Sequence, residues 1–303
     1  MSQQIASQAK ELKAKLRGVL PPITMPFNAE GELVRGGLKE QIDFIINSGA
    51  SAIVVGGSTG EGHTLSDEEF RQAMHEAYEA NNGRVPFVAG LIVNSTRQAI
   101  ARVKMLEGMK LDALQVTPVH YLFKPDDDAT VRHFREIYEA TQTPILIYNV
   151  IPWNYLSLDL MNHIMDEVPG VVGMKQSGGD LKSVSDLLLR CPEKIIVSGV
   201  DALLYPGFAI GCQGAISALT SAVPSVVVKL FKAVEENDHA TARDIHFRLS
   251  DLWSQLPHDN LPACVKYIQS LQGVTLYQPR PPMQPVSDAL KTNIKAAFDR
   301  LMG

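Results

Sequence analysis

Eight short apolar runs, each followed by a segment of helical period, constrain this 303-residue chain more than any other feature. The runs cover residues 19–23, 52–55, 86–89, 113–116, 145–148, 171–175, 194–197 and 214–217. Each is strand-length and almost continuously hydrophobic, as a strand buried on both faces has to be. The helical segments cover 38–48, 67–81, 96–108, 129–141, 158–167, 181–190, 203–210 and 223–237. Ser66 with Glu69 three residues later predicts a capping box at the start of the second helix. Gly49, Gly108 and the Asn81-Asn82-Gly83 triplet supply stop signals. Doubly wound sheets share this alternation, but eight strand–helix units favour closure into a parallel (β/α)8 TIM barrel.

After residue 238 the strands cease, and three further helices are predicted around 240–253, 261–272 and 286–302. They are joined by the proline-rich stretch YQPRPPMQP, and no linker-like change of composition sets them apart. The expected organisation is therefore a helical N-terminal extension (1–17), a barrel (18–238) and a C-terminal helical region packed on it (239–303). A net charge of −5 spread over both halves argues against nucleic acid as a partner. There is no apolar run long enough to span a bilayer, and the polar N-terminus lacks the apolar core of a signal peptide. Cys191, Cys212 and Cys264 lie far apart without a CxxC pair, which suits a reducing cytoplasm and gives no metal site.

Chemistry in such a barrel gathers at the carboxyl ends of the strands. Lys175 closes the run VVGMK, where burying an unpaired ammonium is costly. Desolvation there favours the neutral amine, which attacks a ketone to form a Schiff base. The plainer alternatives are that it reaches solvent or pairs with Asp201 or Glu61. Tyr148 ends the preceding strand, close enough for its phenol to move protons at a group bonded to Lys175. A buried tyrosine bonded only to backbone is the alternative. The stretch GGSTGEGHTLS after strand two lets backbone and hydroxyls approach an anion closely, with Gly57, Ser58 and Thr59 at its centre. It matches neither the Rossmann nor the Walker glycine spacing. His120, in the loop after strand four, is the one histidine expected on this face.

Taken together, TMPF, GGSTGEGHTLSDEE, QVTP, PILIYNV, GMKQSGGDL, SGVDALLYPGFAIGCQGAIS and RPPMQPVSD resemble the pyruvate-dependent class I aldolases typified by dihydrodipicolinate synthase and N-acetylneuraminate lyase. The similarity runs over nearly the whole chain from Gly18. The resemblance implies that Lys175 forms the Schiff base, Tyr148 moves protons at the imine, and Ser58 and Thr59 hold the keto-acid carboxylate, Ser58 also joining the relay. It implies a backbone contact near the imine at Ile216, and a homotetramer built as a dimer of dimers with no metal or organic cofactor. The tyrosine that the synthases lend across a dimer interface aligns with His120 or Tyr121.

The chain also departs from that pattern. The synthases carry an arginine shortly after Tyr-Asn-x-Pro, whereas YNVIPWNYLS has Ile151 inserted, and no Lys or Arg occurs between Asn149 and Met174. Trp153, Asn154, Tyr155 and His120 are expected to make a polar, aromatic pocket wall. The reading is a Schiff-base lyase acting on pyruvate or a related 2-keto acid together with an aldehyde or its adduct. Its alternatives are the synthase itself with a different anion clamp, and an inert keto-acid-binding or regulatory homologue. A phosphate-binding barrel using GGSTGE and IGCQGAIS is a further option.

Overall fold

The computed structural model describes the backbone of residues 2–303 and the side chains of residues 9–303. Eight parallel strands run in ring order: β1 (Gly18–Val19), β8 (Gly214–Ala215), β7 (Ile195–Ser198), β6 (Val171–Gln176), β5 (Ile145–Asn149), β4 (Ala113–Val116), β3 (Phe87–Leu91) and β2 (Ile53–Val55). The first strand is shorter than its apolar run because Pro21 and Pro22 have no N–H to give to a ladder. The ring still closes there. Ser51 N–H donates to the Val19 carbonyl at 2.8 Å, Val54 N–H to Pro21 at 3.0 Å, and Ile23 N–H to Val54 at 2.8 Å.

Alternate strand residues fill the barrel interior, among them Leu20, Val54, Val88, Ala113, Leu146 and Val197. Leu12 and Leu16, from and just beyond the helix Ser2–Lys15, join this cluster at the amino ends of the strands. The N-terminal helix thus stoppers one end of the barrel, and the concavity opens at the other, where strand carboxyl ends converge. Outside the ring, the helices bury one stripe each. The capping box forms as expected, with Ser66 N–H donating to Glu69 at 2.9 Å and Glu69 N–H to Ser66 Oγ at 3.2 Å.

Beyond the barrel, the helices His239–Trp253, Leu261–Ser270 and Asp288–Met302 follow. Their apolar stripes, such as Ala242, Ile245, Leu249 and Leu252, recur at three- and four-residue spacing. They pack with Leu219, Ala222, Val227 and Leu230 of the helices that follow β8. The sequence pattern reads one helix over 223–237 there. The structure has two, Ala218–Ala222 and Pro224–Glu235, because Pro224 opens a helix readily but cannot continue one. No described helix is long and apolar enough to cross a membrane.

One irregularity positions the site. β5 and β6 pair Ile145 with Val171, but the next pair is Leu146 with Gly173, so the register slips by one residue. Without the slip Tyr148 would face Met174; with it, Tyr148 pairs with Lys175 and both point inward. On the other side of β6, Gly173 lets the strand pack closely on β7, since a side-chain carbon there would stand 2.0 Å from the Ile195 carbonyl oxygen. The Gly-x-Lys spacing is therefore a packing requirement as well as a motif.

Candidate active site

Lys175 and Tyr148 are each 4% exposed, at the carboxyl ends of adjacent strands. The Lys175 amine lies over the Tyr148 ring, 3.9 Å from its centroid. The Tyr148 hydroxyl stands 3.2 Å from Ser58 Oγ. Amine, phenol and hydroxyl thus form a short continuous path, with Thr59 next along the same turn.

The two carboxylates that could neutralise Lys175 are occupied elsewhere. Asp201 is buried and accepts the N–H groups of Leu219 at 2.6 Å and Ala218 at 3.3 Å. Burial pushes its carboxyl above the ordinary range, against the pull of those amides and the more distant Lys175 charge. Glu61 is ion-paired to Lys266. Among the described residues Lys175 has no carboxylate within ion-pair distance, and its amine is uncommitted.

The GGSTGEG turn folds back on itself through Glu61 N–H to Ser58 O at 2.9 Å and Gly62 N–H to Gly57 O at 3.1 Å. Gly62 lies so close beneath it that a side-chain carbon would stand 2.0 Å from the Gly56 carbonyl oxygen. Glu61 adopts a left-handed conformation, φ 54°, and turns its carboxylate away from the barrel axis. There it meets the fully buried Lys266 and the backbone N–H of Arg280, the latter at 2.7 Å. Lys266 also donates to the Gln278 carbonyl at 2.7 Å and lies 4.9 Å from the Phe27 ring centre. The Arg280 guanidinium covers the same ring at 4.3 Å, bonds the Thr64 carbonyl at 2.8 Å and pairs with Glu69. Arg280 draws the Glu69 carboxyl down to about 2. The proline-rich connector and the helix before it therefore clamp the hydroxyl-bearing turn from behind.

The remaining sequence-predicted residues lie in two loops. Asn154 is buried, and its amide donates to the Val119 carbonyl at 2.7 Å; it ties the loop after β5 to the loop after β4. Trp153 Nε1 donates to the His120 carbonyl at 2.9 Å while its ring is exposed. Tyr121, in the loop after β4, is 74% exposed. Ile216 is buried just beyond β8, its N–H bonded to Ser198 O at 2.9 Å. Gly57 is buried at the base of the turn.

Two contributors carried no local signal. Gly199 leaves room for the lysine, since a side-chain carbon there would stand 2.9 Å from Lys175 Cε. Lys266 lies in the helix Leu261–Ser270, where a lone lysine reads as solvent-facing. Among the described residues no cluster of three or more His, Cys, Asp or Glu could hold a metal ion.

A closed (β/α)8 barrel with an uncommitted lysine beside a tyrosine–serine pair at its open end narrows the comparison to barrels of one kind. The chain belongs to the dihydrodipicolinate synthetase family, whose profile matches residues 15–301. It is 31% identical to a 4-hydroxy-tetrahydrodipicolinate synthase of Methanopyrus kandleri over 95% of this chain and 97% of that one. A crystal structure of a dihydrodipicolinate synthase superposes with a TM-score of 0.86 at 30% identity, covering 94% of this chain and 99% of the other. The N-acetylneuraminate lyase of Mycoplasma synoviae superposes at 0.87 with 26% identity, covering 96% and 99%.

Proposed function

We propose that this protein is a lyase of the class I aldolase type that forms a Schiff base with pyruvate or a related 2-keto acid. The observation that carries the proposal is the uncommitted Lys175 amine above Tyr148, with Ser58 in contact with the same phenol. The amine attacks the C2 carbonyl to give a carbinolamine, which loses water to leave an iminium. The iminium is an electron sink, so a C3–C4 bond breaks to an enamine and a released aldehyde, or the reverse addition forms that bond. In a dehydration the intact iminium instead loses a C3 proton, and the resulting enamine expels the C4 hydroxyl as water. Tyr148 carries protons to and from these intermediates, with Ser58 as its relay partner. Ser58, Thr59 and the amides from Gly57 onward hold the carboxylate, and Ile216 contributes backbone near the imine. His120 and Tyr121 stand toward the second substrate. Water hydrolyses the final imine and frees Lys175, so the cycle needs no metal or organic cofactor.

Tyr148→Phe keeps the ring under the amine and removes only the hydroxyl. It is expected to lower kcat on the order of 10²-fold while leaving thermal stability nearly unchanged. Steady-state kinetics beside a melting curve make that comparison, and an unchanged kcat would reduce Tyr148 to a packed strand residue.

The names of the curated relatives favour a second reading, condensation of pyruvate with aspartate semialdehyde as in 4-hydroxy-tetrahydrodipicolinate synthase. The stretch from Asn149 to Met174 offers no cation for that aldehyde's carboxylate. One missing charge-assisted contact is worth about 1.5–3 kcal/mol, or roughly 10–100-fold in kcat/KM. Neutral hydroxylated aldehydes are therefore expected to surpass the semialdehyde by that margin in a panel scored for pyruvate release or consumption. Preference for the semialdehyde would make the synthase the better reading.

A homotetramer, built as a dimer of dimers, is part of the proposal. Tyr121, Leu122, Phe123 and Trp153 are all more than half exposed around the loops after β4 and β5, an apolar patch of the kind that protein contacts cover. Three unpaired, buried cysteines fit residence in a reducing cytoplasm.

A further inference from the structure

Gln115 is the third residue of β4 and is 1% exposed, yet among the described residues neither its amide nitrogen nor its oxygen has a hydrogen-bond partner. Its side chain points inward. In the ladder it pairs with Gly90 on one side and with Leu146 on the other, and Leu146 belongs to the interior cluster. Gly90 has no side chain and packs directly against Gly56, which leaves the space under the hydroxyl-bearing turn to the glutamine. Its Nε2 would lie 3.7 Å from a side-chain carbon placed on Gly57, the residue before Ser58. The amide therefore faces the underside of the turn to which the substrate carboxylate is assigned.

Buried polar groups are almost always paired, and leaving one unpaired costs free energy that a leucine in the same space would not. A glutamine that the protein does not satisfy, aimed at an anion site, is accounted for by a partner that arrives with the ligand. We propose that Gln115 is a substrate-binding residue whose Nε2–H donates to the keto-acid carboxylate, directly or through one water, from the side opposite Ser58 and Thr59. The proposal deepens the imine-forming reading and rests on it. It predicts a preference for an anionic group at C1 of the substrate that is stronger than two hydroxyls and backbone amides would give.

The test measures the initial rate of borohydride trapping at Lys175 against pyruvate concentration, in the parent protein and in Gln115→Leu, Gln115→Met and Gln115→Glu. Loss of a hydrogen bond to a charged group is expected to raise the half-saturating pyruvate concentration about 10–100-fold in the Leu and Met variants. Their maximal trapping rate should stay within about twofold, because the amine chemistry is untouched. Melting temperatures should be equal or higher, since the unpaired amide is gone. Gln115→Glu sets a carboxylate against a carboxylate, so its half-saturation should be worse still and recover as pH falls. A packing role would move stability but not the pyruvate dependence. Unchanged half-saturation in a folded Leu or Met variant overturns the assignment of Gln115 while leaving the imine intact. Absence of trapping in the parent protein overturns the imine reading and this proposal with it.

Discussion

Treating the protein with pyruvate and borohydride is expected to add one reduced pyruvyl group to the peptide bearing Lys175, and Lys175→Ala should abolish both the adduct and turnover. The loss should be complete because no second amine can take over. Lys266, the other buried lysine, is committed to Glu61 and the Gln278 carbonyl, and its helix lies behind the turn rather than at the barrel mouth. Lys175→Arg should be equally inactive although it keeps the charge, since a guanidinium stays protonated and offers no nucleophilic lone pair. A variant that merely lost a favourable charge would be rescued by arginine, so the pair of substitutions separates nucleophile from electrostatic support. Mass spectrometry of the digested adduct decides the outcome. A label on any other lysine would remove the basis of the mechanism.

The part of this site that is legible in the sequence is the part set by local constraint. Strands buried on both faces announce themselves as apolar runs, and an ammonium at the end of one is conspicuous, so Lys175 is found directly. Ser66 and Glu69 mark their helix because the capping box is completed within four residues. The prolines at 21 and 22 announce a weak strand, yet the apolar run masks how short it becomes. The contact between Lys175 and Tyr148 is different in kind. It depends on a one-residue slip between strands, and no periodicity within either strand encodes it. Glu61 is visible as an acidic residue near the lysine, but the cation that claims it lies 205 residues later. A carboxylate's partner is a matter of topology, and proximity to a motif does not determine it. Asn154 makes the same point in reverse: a polar residue in a pocket loop turns its amide onto the backbone of the neighbouring loop.

Lys266→Met is expected to destabilise the protein by about 3–5 kcal/mol, because it strands the Glu61 carboxylate in a buried setting. Both groups are shut away from solvent, with side-chain exposures of 0% and 3%, so water cannot replace the lost ammonium. The pair itself is worth far less than that figure. Burial lowers the pKa of Lys266 and Glu61 works against the shift, which is the balance of desolvation against attraction that makes such pairs nearly neutral overall. The double variant Glu61→Gln with Lys266→Met should therefore recover most of the stability, since it removes both charges together. Recovery of stability should not bring full recovery of function. Glu61 also accepts the Arg280 N–H and holds the turn in its left-handed bend, two residues after Thr59. A glutamine there without its ammonium lets the turn relax, and the expected signature is a raised KM for the keto acid at nearly normal melting temperature. Denaturant titrations of the single and double variants give the coupling energy, and KM in the double variant reports the turn. A single Lys266→Met variant as stable as the parent would show that the clamp bears no load, and a double variant with normal KM would show that the turn holds its shape unaided.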